Sequence, residues 1–280
     1  MEQNTPKIPK IISVANQKGG VGKTTTAVNL ATALSAVGQR VLLLDLDSQG
    51  NATTGLDIRR SQIEGSVYEV LFGDISPLQS AMKTKVPNLH VIPSSIHLSG
   101  AEIELVSTEN REFKLRNALR QTMPYDYIII DCPPSLSLLT LNAFVASDSI
   151  LVPLQCEFYA LEGLSHLVKT IERVKTHFNP VLDIQGIVLT MYDPRNKLSA
   201  QVAEEVRNHF GEKVYNTVIP RNVRLSEAPS HGLPAIVYDM KCAGSQAYIQ
   251  LAREVIAREK TSPNNGPKND DVPSVRVNAA

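Results

Sequence analysis

The sequence predicts a doubly wound α/β fold, a mostly parallel sheet with helices on both faces. Three observations carry that expectation. Apolar runs of strand length alternate with segments of helical period along most of the chain. The first run, Ile11 to Ala15, opens directly into a glycine-rich loop and then a helical pattern. Two later runs close on the carboxylates Asp45 and Asp131, at the strand ends where open α/β sheets bind ligands.

Bulk properties set the bounds. A chain of 280 residues suffices for one large domain with a substantial core. Lys+Arg 28 balance Asp+Glu 28. No overall basic excess announces nucleic acid, so any DNA contact rests on a local patch. Cys132, Cys156 and Cys242 form no C-x-x-C pair, which argues against a disulfide framework and a zinc site. A reducing cytoplasm is the expected setting. Met1 to Lys10 lacks the apolar core of a signal peptide. No run approaches the ~18 apolar residues of a membrane span.

The loop is Lys18-Gly19-Gly20-Val21-Gly22-Lys23-Thr24-Thr25, followed by Ala27, Leu30, Ala31 and Leu34 on one helical face. Strand, glycine-rich loop and helix is the context of a phosphate-binding loop. Glycines let successive backbone N–H groups turn inward around an anion, and the helix adds its positive end. Lys23 can reach terminal phosphates, and the Thr24 hydroxyl can ligate Mg²⁺. The usual G-x-x-x-x-G-K-[ST] pattern needs glycine at position 17, where Gln17 stands, and a second lysine, Lys18, opens the loop. This form resembles the deviant phosphate loop of the ParA/MinD ATPases. The resemblance implies that Lys18 points across a nucleotide-sandwich dimer to the partner's phosphates.

Gly38 ends the first helical pattern at a plausible C-cap, and Arg40 to Asp45 reads as a second buried strand. Asp45 and Asp47 lie two residues apart, so both can face the crevice. The run Asp45 to Asn51 resembles the family's switch I motif. By position Asp47 matches the residue that orients the attacking water, and Asp45 matches the one supporting the Mg²⁺ shell. From Ile58 to Met123 the signals weaken. Val67 to Phe72 and Pro77 to Met82 read as short helices, and Leu89 to Pro93 as a strand. Helical patterns follow around Ala101 to Val106 and Phe113 to Gln121. Nothing in this region carries a chemistry that can be named, and His90 and His97 read as surface or core-edge residues.

Tyr125 to Asp131 is an apolar run ending in aspartate, the Walker B pattern whose carboxylate holds Mg²⁺ through water. With Cys132-Pro133-Pro134 following, it resembles the family's switch II. Cys132 reads as a small buried side chain. Ser149 to Leu154 is a further strand, and a long helix runs to about Phe178 with Leu164, Leu167, Val168, Ile171 and Val174 on one face. The stretch Leu154 to Gly163 resembles a ParA segment near the dimer interface, and by spacing alone it is equally a plain β–α connection. Ile184 to Met191 reads as a strand, Arg195 to Lys197 opens a helix to about Phe210, and Val214 to Ile219 is the last strand.

Pro220 to Ser230 matches, residue for residue, a signature of the chromosomal ParA (Soj-like) branch. There the residues corresponding to Pro220 and Asn222 line the adenine pocket, and nearby arginines meet DNA. A final helix, about Gly244 to Arg258, buries Tyr248, Leu251, Ala252 and Val255. Thr261 to Ala280 is rich in Pro, Asn, Asp and Ser and reads as a disordered tail. It shows no basic amphipathic helix of the MinD kind. Only residues 1 to 10 precede the first strand, which leaves no carrier for the DNA-binding domain of plasmid relatives. The expected organisation is a short tail (1–10), an ATPase domain (11–260) and a C-terminal tail (261–280).

The resemblance implies a chromosome-partitioning ATPase with ATP and Mg²⁺ as ligands. Binding would involve Lys18 to Thr25, Pro220 and Asn222, and catalysis Lys18, Lys23 and Asp47. Thr24, Asp45 and Asp131 would serve the metal. An ATP-dependent homodimer would bind double-stranded DNA without sequence preference, with Arg195, Lys197, Arg221, Arg224 and Lys241 as candidates. A ParB-type centromere-binding protein would stimulate hydrolysis and release DNA, giving a cytoplasmic, nucleoid-associated protein with no membrane role. Three alternatives stay open: a MinD-like membrane-cycling ATPase, an ATP-dependent carboxylate ligase of the same fold, and a nucleotide-gated scaffold without catalysis.

Overall fold

Parallel strands covered by helices on both faces have no solvent side, so they are apolar without alternation. The computed structural model describes residues 7–261 and follows that rule. Its elements begin with β1 (Lys10–Val14), α1 (Lys23–Ala36), β2 (Val41–Asp45), α2 (Asn51–Gly55), α3 (Val67–Phe72) and α4 (Pro77–Ser80). Next come β3 (Met82–Lys83), β4 (Leu89–Ile92), α5 (Leu98–Val106), α6 (Lys114–Leu119), β5 (Tyr127–Asp131) and α7 (Leu138–Ala146). β6 (Ser149–Gln155), α8 (Ala160–His177), β7 (Asp183–Tyr192), α9 (Lys197–Phe210) and β8 (Val214–Pro220) follow. The small helices α10 (Val223–Glu227) and α11 (Ala235–Tyr238) lead into α12 (Ala243–Thr261).

The strands form one eight-stranded sheet in the order β3-β4-β2-β5-β1-β6-β7-β8. Every pairing is parallel except the short edge strand β3 with β4. The doubly wound, mostly parallel class is the one expected. β2, β4 and β5 lie on one side of β1 and β6 to β8 on the other. The loop leaving β1 therefore stands where strand order reverses and a crevice opens.

Residues two apart on a strand share a face. Leu42, Leu44, Ile128 and Ile130 pack toward Phe144 of α7 and Leu164, Leu167 and Ile171 of α8. Ile12, Leu43 and Ile129 pack on the other side toward Leu30 and Leu34 of α1 and Leu251 and Val255 of α12. Asp45 and Asp131 continue the alternation of Leu43 and Ile129, which places them on the α1 side.

Three local differences from the sequence expectation have physical causes. α7 gave no periodic signal because it is apolar nearly all round, with Leu139, Ala143, Phe144, Val145 and Ala146 buried. The helix expected to reach Met82 stops at Ser80, and Met82 instead pairs with Val91 as a sheet edge. Val168, expected on the buried stripe of α8, is only partly buried against its neighbours. Lys7 already pairs with Met123 in an antiparallel bridge, ahead of β1. Residues 1–6 and 262–280, including nearly all of the expected C-terminal tail, lie outside the described residues.

Candidate active site at the carboxyl edge of the sheet

The glycine-rich loop owes its shape to two residues in the left-handed region. Gly20 and Gly22 have φ of +75° and +85°, where a side chain would be strained. Gly22 caps α1, so Lys23, Thr24 and Thr25 occupy the first turn, whose N–H groups have no intrahelical acceptor. The loop is tied to strands on its far side. Buried Asn16 donates Nδ2 to the Pro153 carbonyl of β6 (2.8 Å) and accepts the Lys18 N–H (3.0 Å). Buried Thr190 of β7 donates its hydroxyl to the Val21 carbonyl (2.9 Å). Neither anchor was legible in the sequence, since a lone Asn or Thr at a strand end has many ordinary roles.

The two lysines differ sharply. Lys23 is buried, and its Nζ donates to the Lys18 carbonyl (2.9 Å). Burial lowers its pKa, while Asp131 and then the neighbouring Cys132 and Asp47 oppose that shift. Lys18 lies on the rim and forms an ion pair with Glu157, just before α8, with both side chains about two-fifths exposed (42% and 43%).

Asp45 and Asp131 sit side by side across β2 and β5, both fully buried. The Asp45 Oδ2 accepts the Thr53 N–H (2.8 Å) and the Thr53 hydroxyl (2.6 Å), and its Oδ1 accepts the Asp47 N–H at a long 3.4 Å. Neither oxygen of Asp131 has a hydrogen-bond partner among the described residues. The Thr24 hydroxyl is near enough to favour its charged form without reaching hydrogen-bond geometry. Burial raises the pKa of both acids, and each also feels a neighbouring carboxylate. Asp47 is half-buried at the mouth, where its Oδ1 accepts the Gln49 N–H (3.0 Å). An unpartnered buried carboxylate beside a threonine hydroxyl suits a hard divalent cation shared with phosphate oxygens.

Pro220 and Asn222 come to the loop from the end of β8. With Gly22, Thr25 and Met191 they line one cavity of about 290 Å³. Asn222 also accepts the Arg224 N–H (2.9 Å) as the cap of α10. Met191 has φ of +50°, uncommon for a residue with a side chain. It was not anticipated, because backbone strain leaves no mark in composition.

The five basic candidates all follow the ends of β7 and β8 or precede α12. Arg195 is tied to Asp193 by two bonds of 3.0 and 2.8 Å. Arg224 pairs with Glu227 (2.9 Å) and Asp239 (3.6 Å) and lies 5.9 Å from the Tyr238 ring centroid. Lys197, Arg221 and Lys241 are exposed, and their side chains form no ion pair among the described residues.

A phosphate loop at the point of strand-order reversal, backed by an orphaned strand-end aspartate, defines the class of P-loop nucleoside triphosphatases. A family model described as an AAA domain matches residues 9–184. Over 254 residues the chain is 61% identical to the chromosome partitioning protein ParA of Caulobacter vibrioides, covering 90% of this chain and 95% of that one. It is 57% identical over 249 residues to the sporulation initiation inhibitor protein Soj of Bacillus subtilis (89% and 98% covered). Among solved structures, cobyrinic acid a,c-diamide synthase of Mycobacterium smegmatis with bound ADP and magnesium aligns with TM-score 0.79 at 37% identity. That alignment covers 90% of this chain and 96% of the synthase. The chain belongs to the ParA/Soj family of chromosome-partitioning P-loop ATPases.

Proposed function

We propose that this ATPase partitions chromosomal DNA as a nucleotide-gated dimer, with residues 11–260 acting as one ATPase domain. One observation carries the reading: buried Asp131, both oxygens unpartnered among the described residues, stands beside Lys23 and Thr24 at the loop. In this reading ATP and Mg²⁺ bind along Gly19 to Thr25. Lys23 meets the terminal phosphates, Thr24 and Asp131 serve the ion, and Asp45 supports them. The bound magnesium supplies neutralisation of phosphate charge. Pro220 and Asn222 border the adenine, a placement supported by the cavity they share with Gly22 and Thr25. The ADP and magnesium in the synthase structure support the choice of ligands.

Lys18, on the rim with its side chain paired to partly exposed Glu157, reaches the partner's phosphates when two subunits close face to face. Asp47 places the attacking water. Dimer closure joins two basic patches into one surface that binds duplex DNA without sequence preference. Lys197, Arg221 and Lys241 are its strongest members, since Arg195 and Arg224 are already neutralised by acids. A ParB-type centromere-binding protein accelerates hydrolysis and so releases DNA, giving a cytoplasmic, nucleoid-associated cycle. No described helix is long and apolar enough to cross a membrane. A partition name belongs to a relative at 61% identity and the synthase name to one at 37%, which favours partition over ligase chemistry.

The two lysines separate the steps. Lys23→Ala is expected to weaken ATP binding by roughly tenfold or more, the scale of a lost buried charged contact. Lys18→Ala should bind ATP as the wild type does, yet stay monomeric with ATP by light scattering. An ATP-dependent Lys18→Ala dimer as abundant as the wild type's would remove the cross-dimer role.

A further inference from the structure

We infer that Thr53 is a positioning residue for the metal side of the site, holding the Asp45 carboxylate in place and tying it to the end of β4. The inference rests on the proposed magnesium role of Asp45. Thr53 lies on α2, three residues past Gly50, whose φ of +67° turns the chain after Asp47. Its hydroxyl has only one way to orient. It accepts the Ser94 N–H (3.0 Å), so its own proton must go to the Asp45 Oδ2, 2.6 Å away. The Thr53 N–H takes a second position on the same oxygen at 2.8 Å. The Asp45 Oδ2 is thereby fully engaged by one residue. Among the described residues its Oδ1 makes only the long bond from the Asp47 N–H, and Asp131 is the register partner of Asp45 on the adjoining strand.

This arrangement does two things. It fixes the rotamer of a buried carboxylate that would otherwise rotate toward whichever donor is nearest. It also links three segments at this end of the sheet: β2 with Asp45, the α2 turn that follows Asp47, and the segment leaving β4 at Ser94. Ser94 is buried, and its Cβ lies 3.8 Å from the position a methyl on Gly50 would take, so the loop turn passes close to the β4 end. A shift of Gly50 on nucleotide binding would be felt at Thr53 and hence at Asp45. Residues behind a metal's ligands commonly alter its affinity by 10–100-fold when lost.

The test is the Mg²⁺ concentration needed for tight binding of a fluorescent, non-hydrolysable ATP analogue, with binding in EDTA as the metal-free reference. Thr53→Val keeps the shape and deletes the hydroxyl, and Thr53→Ser keeps the hydroxyl. Thr53→Val is expected to raise the half-saturating Mg²⁺ by about tenfold without changing binding in EDTA, and Thr53→Ser to restore it. Unshifted Mg²⁺ dependence in Thr53→Val would overturn the inference. So would equal shifts in both variants, which would assign the effect to packing. Asp45→Asn separates the underlying reading. If it leaves the Mg²⁺ dependence unchanged, the magnesium role of Asp45 fails. If it shifts the dependence and Thr53→Val does not, only Thr53's role fails. In the Asp45→Asn background, Thr53→Val should add no further shift, and an additive shift would contradict action through Asp45.

Discussion

At the scale of single residues, charge placement makes predictions that do not depend on nucleotide. Asp126 stands where β5 begins. Its carboxylate accepts the Arg40 N–H (2.7 Å) and two guanidinium bonds of 3.2 Å, and pairs with Lys7 (3.0 Å). Burial pushes its pKa up, but the Arg40 bonds and then Lys7 outweigh that and hold it at about 2. A folded pKa below the unfolded value of about 4 stabilises fully above that pH and is lost as pH falls toward 2. Asp126→Asn is therefore expected to cost about 1–2 kcal/mol in urea unfolding at pH 7 and clearly less at pH 3. An equal loss at both pH values would contradict this account. Asp47 belongs to the same scale. Its replacement by alanine should leave ATP binding intact and slow hydrolysis by about a hundredfold. An unchanged rate would take the water-positioning role from it.

At the scale of elements, the pairing of β7 with β8 depends on one missing side chain. A methyl on Gly186 would lie 2.3 Å from the ring of buried Tyr215, which Arg258 covers from 3.9 Å. Gly186→Ala is expected to cost about 1–3 kcal/mol and lower the melting temperature by several degrees. The Tyr215 hydroxyl, buried without a hydrogen-bond partner among the described residues, should be dispensable, so Tyr215→Phe should melt at or above the wild-type temperature. A Gly186→Ala protein as stable as wild type would show that the ring can move aside. The strands other than the short edge strand β3 were legible because burial makes them apolar runs, and α8 because it keeps one face wet. α7 was illegible for the reason that makes β5 clear: it is buried nearly all round, and uniform apolarity has no period. The short helices α2, α10 and α11 carry too few residues to show a period at all.

At the scale of the whole molecule, the sheet gathers residues that the sequence holds far apart. Gly22 and Asn222 border one cavity, and Asp45 and Asp131 sit side by side on paired strands. The loop and its carboxylates could be read from the chain because each is a short pattern at a strand end. Their supports could not, because Asn16, Thr53 and Thr190 act through contacts that exist only once the strands are paired. The neutralisation of Arg195 and Arg224 was equally hidden, since their acid partners are identified only by geometry. In the proposed cycle ATP assembles a DNA-binding surface. The direct measurement is binding of labelled, non-specific duplex DNA with ATP, with ADP and without nucleotide, each at low and high salt. Binding with ATP alone, falling steeply as salt rises because phosphate contacts release counterions, is the predicted result. Equal binding in all three nucleotide states, or none in any, would contradict it.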